Sequence, residues 1–536
     1  MEETSDILIT NGLIFDGTGA SPFRGNLMIC GDTISSVRRK PISAGKKTKI
    51  LDASGYAVAP GFIDTHAHSE FVLLADPRAE GKILQGITTE VNGNCGLSAA
   101  PLTGAAAVQR EADLGELGIR ERWSSFQEYF VILERRKPCL NFATLAGHGN
   151  IRASVMGYRN DSPNPHELDR MKQLLVRMIS EGARGISTGL IYPPGIYAET
   201  PELIELCRAM KSFGRKRPGI YTSHMRSEGD GVIESVDEII TIGSESGVHV
   251  HISHIKTSGQ RNWPKIGRII GMLQNAVANG LSLTADRYPY IAGSTDLDSI
   301  LPAWVYEGGT ERELERLNHA PVRNRIRREI ISTYPERAEW EKVFISSVVS
   351  EKNKWMEGKS IAQLARVRNS EEVDTLLDIL VEERARAGAI FMSMSEENLE
   401  KFLSLPYVMI GTDSSARSAT GLTRSGKPHP RGFGSYPRFF GRYVREKGLM
   451  SLSEAIYRAT MLPAVTFRLP GRGILKKGAF ADVVVFDQER ILDRSTFERP
   501  FLRPRGIHSV IVNGMPVILE GVPTGARPGR ILREIS

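Results

Sequence analysis

The nine residues Pro60-Gly-Phe-Ile-Asp-Thr-His-Ala-His68 close an apolar run, Tyr56-Ala-Val-Ala59, and constrain the rest of the chain more than any other stretch. They read as a buried strand that ends in two histidines spaced by two, and side chains two apart on a strand share a face. His66 and His68 can therefore aim at one ion, with neutral imidazoles suited to zinc, iron or manganese. One such pair in a chain with eleven histidines means little unless other ligands converge on it.

Those ligands are found by following the apolar runs. They alternate with helix-length stretches, and the candidate strands are 58–66, 87–94, 141–147, 184–190, 218–224, 248–254, 281–286 and 407–412. Strands in this alternation predict an α/β fold, a parallel (β/α)8 TIM-like barrel, whose functional side chains gather at the C-terminal strand ends. Cys95 follows Thr88-Thr-Glu-Val-Asn-Gly-Asn94, His224 ends Gly219-Ile-Tyr-Thr-Ser-His, and His254 ends Val248-His-Val-His-Ile-Ser-His. Asp286 ends Leu283-Thr-Ala-Asp and Asp413 ends Val408-Met-Ile-Gly-Thr-Asp. Together with His66 and His68 they make a metal site the expected feature. Asp413 stands in a polar strand end where a carboxylate can reach a water at the metal. A salt bridge to a neighbouring arginine explains Asp286 equally well, so Asp413 is preferred. His249 and His251 have the parity opposite to His254 and are expected to face the barrel's other side as structural residues. His148 is left open between lining the site and stabilising a loop.

At 536 residues the chain is too long for one ordinary core. Residues 6 to 52 and the runs Ala481-Asp-Val-Val-Val-Phe-Asp and His508-Ser-Val-Ile-Val-Asn-Gly share a texture of short β-branched runs and turns. The expected organisation is a small β-sandwich from 1–57 and 470–536, a barrel from 58–286 and 407–469, and an inserted subdomain at 287–406 that can act as a lid. Within the insertion, Ser370-Glu-Glu372 followed by Val373, Leu376, Leu377, Leu380 and Val381 predicts a capped amphipathic helix. No apolar run approaches the ~20 residues that cross a bilayer, and the acidic start Met1-Glu-Glu-Thr-Ser-Asp lacks the features of a signal peptide, so a cytoplasmic protein without membrane partners is expected. Cys30, Cys95, Cys139 and Cys207 form neither a disulfide framework nor a CxxC site. The net charge of +7 is spread over the chain, and the clusters Arg38-Arg-Lys40 and Arg323, Arg325, Arg327, Arg328 read as solvated faces rather than a nucleic-acid footprint.

A metal held by imidazoles and one thiolate, beside a carboxylate, suits hydrolysis of an amide, ester or related bond, with Asp413 taking the proton of water and passing it to the leaving nitrogen. Lys256 shares parity with His254 and can face the same pocket. The motifs Ile63-Asp-Thr-His-Ala-His, Gly93-Asn-Cys-Gly, Ser223-His-Met-Arg-Ser-Glu, Ser253-His-Ile-Lys, Asp286-Arg-Tyr-Pro-Tyr, Gly411-Thr-Asp and Pro428-His-Pro-Arg resemble, in order, those of the N-acyl-D-amino-acid deacylases (D-aminoacylases) of the amidohydrolase superfamily. The resemblance implies zinc at a tight site of Cys95, His224 and His254, the cysteine standing where many amidohydrolases use a carboxylated lysine. It implies a second, weaker site of His66, His68 and Asp413, with Asp413 also general base and acid. It further implies a small anionic substrate whose α-carboxylate is held by Tyr288, Ser294 and Arg431, the arginine fork having the matching geometry. A dipeptidase, a cyclic amidase or a non-catalytic relative are the rival readings, and oligomeric state is left unread.

Overall fold

The computed structural model describes residues 6–211 and 219–533. The acidic start at residues 1–5, the first position of the strand expected at 218–224 and the last three residues of the chain lie outside the described residues.

The strands that position the site are β1 (Phe62–Asp64), β2 (Ile87–Asn92), β3 (Asn141–Thr144, resumed after Leu145 as Ala146–Gly147), β4 (Ile186–Gly189), β5 (Ile220–His224), β6 (His249–Ile252), β7 (Leu283–Arg287) and β8 (Val408–Ile410). All pair in parallel, in two sheets that meet at both edges. At one seam Leu145 donates its N–H to Asn92 while Arg184 donates to Thr144, so β3 serves both sheets. At the other, the Asp413 N–H donates to the His66 carbonyl at 2.8 Å and Ala67 bridges Ser414. The fold is the (β/α)8 TIM-like barrel. Its strands are buried nearly throughout, which is why they read as apolar runs rather than alternating ones. Ile63, Val91, Ala143, Leu145, Ile220 and Met409 cluster with Phe467 and Leu469, and a larger core lies between strands and helices.

The run expected as one strand at 58–66 is two. Ala57–Pro60 pairs with Val483–Phe486 and with Ile7–Ile14, and Gly61 then turns the chain into β1. A Cβ on Gly61 would lie 2.2 Å from the Thr88 side chain, so the turn requires glycine. Ala57–Pro60 thereby belongs to a nine-stranded sheet built from both ends of the chain, wrapped around Ile9, Leu27, Ile29, Val58, Val483, Val485 and Ile511.

Between β7 and β8 a three-stranded antiparallel sheet, with Gly388–Phe391 between Gly293–Asp296 and Val343–Ser347, carries its own core of Leu297, Ile326, Ile345, Leu376, Leu380 and others. The expected amphipathic helix is present as Glu372–Glu382, with Val373, Leu376, Leu377 and Leu380 buried in that core. Its first turn is capped differently from the sequence pattern: Glu371 occupies the N-cap without a side-chain hydrogen bond. Helix Glu396–Leu403 then packs Leu399, Phe402 and Leu403 into the barrel core before β8. No helix among the described residues is long and apolar enough to cross a membrane.

Candidate active site

Each strand end delivers its ligand by a different local device. His66 lies two residues past β1, where Asp64 Oδ1 accepts its N–H at 3.2 Å. Cys95 sits after β2 with φ +53°, between Gly93 and Gly96, both left-handed; a Cβ on Gly93 would lie 2.2 Å from the Leu145 carbonyl oxygen. His224 is the last residue of β5. His254, two residues past β6, has φ +37°, and its N–H donates to Asp286 Oδ1 at 2.7 Å. Asp413, past β8, has φ +49°. Three non-glycine residues in the left-handed region at one site mark strain that the surroundings must hold in place.

The side chains converge. Cys95 Sγ lies 3.2 Å from His66 Nε2, 3.5 Å from His254 Nε2 and 3.7 Å from His224 Nδ1. Asp413 Oδ1 lies 3.6 Å from His66 Nε2 and 3.3 Å from His68 Nε2. Four donors, from His66, Cys95, His254 and Asp413, lie within 4.8 Å of one another, and a second group, His224, Glu228 and His254, shares His254. The structure thus brings together all six residues expected as ligands.

Burial would raise the Cys95 thiol, but the His66 charge and hydrogen bonds from His224, His254 and His66 bring it well below its ordinary value, in the direction that favours the thiolate. Burial likewise opposes charge on Asp413; Arg431, then His254, His68 and His66 override it and hold the carboxyl well below its usual range. His68, also penalised by burial, is lifted to about 9 by its contacts with Asp413 and Cys95.

Of the residues expected to grip substrate, Arg431 Nη1 lies 2.8 Å from Asp413 Oδ2 and its guanidinium 4.7 Å over the Tyr288 ring. Ser294 meets Arg431 through its backbone, its carbonyl accepting from Nη2 at 3.1 Å. Lys256 is engaged by Glu228, and its Nζ lies 2.7 Å from His254 Nδ1.

One alternative left open in the sequence closes here, and one expectation fails. Asp286 does not pair with an arginine: Oδ2 faces His251 Nε2 at 2.8 Å and His66 Nδ1 at 3.3 Å, while Arg287 turns to the Tyr290 carbonyl and the Met394 sulfur. His251 does not face away from the site, since it reaches Asp286 and packs edge-on against Phe467. His148, left open in the sequence, is committed to Glu202 Oε1 at 2.7 Å, while Arg152 donates to Oε2 of the same carboxylate.

Glu228 and Tyr192 were not singled out from the sequence. Glu228 Oε1 stands 2.9 Å from His254 Nδ1 and 3.8 Å from His224 Nε2. Its signal was its place four residues after His224, in the loop that follows the strand end. Tyr192 lies edge-on to His224, with its hydroxyl 2.8 Å from Thr295 Oγ1 of the inserted sheet. It follows the end of β4, a strand end without a ligand-type residue.

Residues 49–271 and 334–518 match the model of the amidohydrolase family. The chain is 36% identical to a D-aminoacylase of Alcaligenes xylosoxydans xylosoxydans, over 98% of this chain and 97% of that protein. It is 35% identical to an N-acyl-D-glutamate deacylase of the same organism, over 99% of this chain and 97% of that one. Among solved structures, N-acyl-D-glutamate deacylase from Bordetella bronchiseptica, complexed with zinc and a phosphonate that mimics the tetrahedral intermediate, superposes with a TM-score of 0.82 at 34% identity, covering 99% of this chain and 100% of that chain.

Proposed function

Because this chain belongs to the amidohydrolase family, in the group of D-aminoacylases and related deacylases, we propose that it hydrolyses N-acyl-D-amino acids to a carboxylate and the free D-amino acid, with zinc as its metal. The observation that carries this reading is the Cys95 sulfur faced by three imidazole nitrogens, with Asp413 beside them. The residues fit the ion: a thiolate, imidazoles and a carboxylate are its preferred donors.

Cys95, His224 and His254 would hold zinc tightly, and His66, His68 and Asp413 would form a second, weaker site. Zinc there supplies a Lewis acid for the amide carbonyl and makes water acidic near neutral pH. The protein's own groups do the rest. Asp413 takes a proton from the attacking water and delivers it to the amide nitrogen as the C–N bond breaks. His68 and Arg431 hold that carboxylate in place from either oxygen. Arg431, over the Tyr288 ring and tethered by the Ser294 carbonyl, offers a fork to the substrate's α-carboxylate, and Lys256 adds positive charge nearby. With the metal bound, Asp286 would keep the one remaining proton of His66 on Nδ1, leaving the Nε2 lone pair for the centre.

The test is turnover of N-acetyl-D-amino acids by zinc-loaded protein, beside their L-enantiomers, a dipeptide and a hydantoin. Cleavage of the D-series alone is expected. Turnover confined to the dipeptide or the hydantoin would replace the reading by one of its rivals.

A further inference from the structure

Behind the site lies a lysine that the chemistry above does not use. Lys82, in the short helix Glu80–Ile83, is fully buried. Its ammonium has three protons and four acceptors: Asp64 Oδ2 at 2.7 Å, Thr412 Oγ1 at 2.7 Å, the Ser414 carbonyl at 2.8 Å and Glu90 Oε1 at 2.8 Å. Those acceptors come from three strand ends, β1, β2 and β8. Asp64 in turn accepts the N–H of His66 at 3.2 Å, the N–H of Thr412 at 2.8 Å and the Thr412 hydroxyl at 2.6 Å. Thr412 and Ser414 flank Asp413, whose left-handed backbone is also tied by its own N–H to the His66 carbonyl, by the His68 N–H to the Ser414 carbonyl at 3.3 Å and by side-chain contacts within the site.

We propose that Lys82 is the positioning residue of this site, an ammonium clamp that fixes the Thr412–Ser414 turn against β1 and so holds Asp413 and His66 in register. The proposal rests on the proposed function for its catalytic consequence alone. Lys82 touches neither substrate nor any expected ligand; it acts through Asp64, Thr412 and Ser414. A lysine saturated by four acceptors is also no candidate for carboxylation, which separates it from the metal-bridging lysines of other amidohydrolases. A hydrophobic residue would fill the same volume, yet it would leave Asp64 and Glu90 without the cation between them and free the turn.

Lys82→Met is compared with wild type and with Arg472→Met, which breaks another buried ion pair, to Asp482, at the N-terminal end of the barrel near Asn141. In Lys82→Met, kcat per folded chain should fall about 10- to 100-fold with KM within about threefold, because misplacing a reacting group by about 1 Å costs on that scale. Amide exchange should quicken in peptides spanning 411–416 and stay unchanged across 183–190. Zinc at the Cys95 group should be retained. Arg472→Met should lower the melting temperature without changing kcat. Equal kcat and equal exchange at 411–416 in Lys82→Met would overturn the clamp, as would a kcat loss that Arg472→Met reproduces. If the single variant does not fold, Lys82→Met/Glu90→Gln removes the cation together with one carboxylate it neutralises, and the same readouts apply. If wild type turns over no N-acyl-D-amino acid, the functional reading fails and the exchange data alone decide the clamp.

Discussion

Asp286→Asn isolates the role of a buried carboxylate that carries three hydrogen bonds and no substrate contact. Oδ1 accepts the His254 N–H at 2.7 Å, and Oδ2 faces His251 Nε2 and His66 Nδ1. Burial would raise this carboxyl, but the charges and hydrogen bonds of His66 and His251 hold it far below its usual range. Asparagine has the same shape and one acceptor oxygen. If that oxygen keeps the His254 N–H, the amide NH2 confronts both imidazoles. His66 must then accept at Nδ1 and carry its proton on Nε2, the nitrogen 3.2 Å from Cys95 Sγ and 3.6 Å from Asp413 Oδ1. A protonated Nε2 cannot ligate. A charge-assisted hydrogen bond contributes about 1.5–3 kcal/mol, and losing an outer partner of a metal-bound histidine costs about 10- to 100-fold in metal affinity, or about 1.4–2.7 kcal/mol, which spans most of that range. Zinc titration against a competing chelator should therefore show the weaker of two binding events reduced about 10- to 100-fold. The tighter event, assigned to Cys95, His224 and His254, should change less. Weak-site affinity within about twofold of wild type would refute the tautomer argument and leave Asp286 a packing residue.

Asp413→Asn should lower kcat by about 100-fold or more with a smaller change in KM, since general acid–base catalysis contributes about 10²–10⁴-fold. Arg431→Ala should instead chiefly raise KM, by about tenfold or more, for substrates bearing an α-carboxylate; an equal penalty on an N-acyl amine would make Arg431 structural. A phosphonate analogue of the substrate should slow amide exchange in the inserted sheet more than in the terminal sheet, because Thr295 and Ser294 already contact Tyr192 and Arg431; equal protection would sink the lid role. Glu202 is opposed by burial but held below its ordinary value of 4.5 by His148 and Arg152, so its contribution is present above about pH 4.5 and is lost as pH falls below it. Glu202→Gln should cost about 3–5 kcal/mol at pH 7 and flatten the acid side of the melting-temperature profile; a profile parallel to wild type would contradict it.

How far the site could be read from the sequence depended on where each residue stands relative to its strand. The barrel strands are sheathed on both sides, so burial alone makes each an apolar run, and the rule that function collects at C-terminal ends then led to Cys95, His224, His254 and Asp413 without any knowledge of contacts. Parity failed where it was carried past the end of a strand. His254 lies beyond Ile252, the last residue of β6, and a left-handed residue turns its side chain off the strand's two-residue alternation. His251, still inside the strand, was therefore assigned to the wrong side by comparison with a residue no longer bound by the rule. The arginine alternative for Asp286 is excluded for a different reason. Its nearest charged neighbour in sequence is Arg287, but successive residues on a strand point to opposite faces, so Arg287 was the least available partner. The accessible partners lie across the parallel register, where Ile252 meets Ala285 and sets His251 within reach of Asp286, 35 residues away. Lys82 was out of reach for the same reason on a larger scale: its contacts to Thr412 and Ser414 span 330 and 332 residues and exist only because β8 closes against β1. A lysine in an amphipathic sequence reads as solvated until closure surrounds it with acceptors, so the residues that hold this site in register are hidden from the sequence by the same topology that makes its ligands visible.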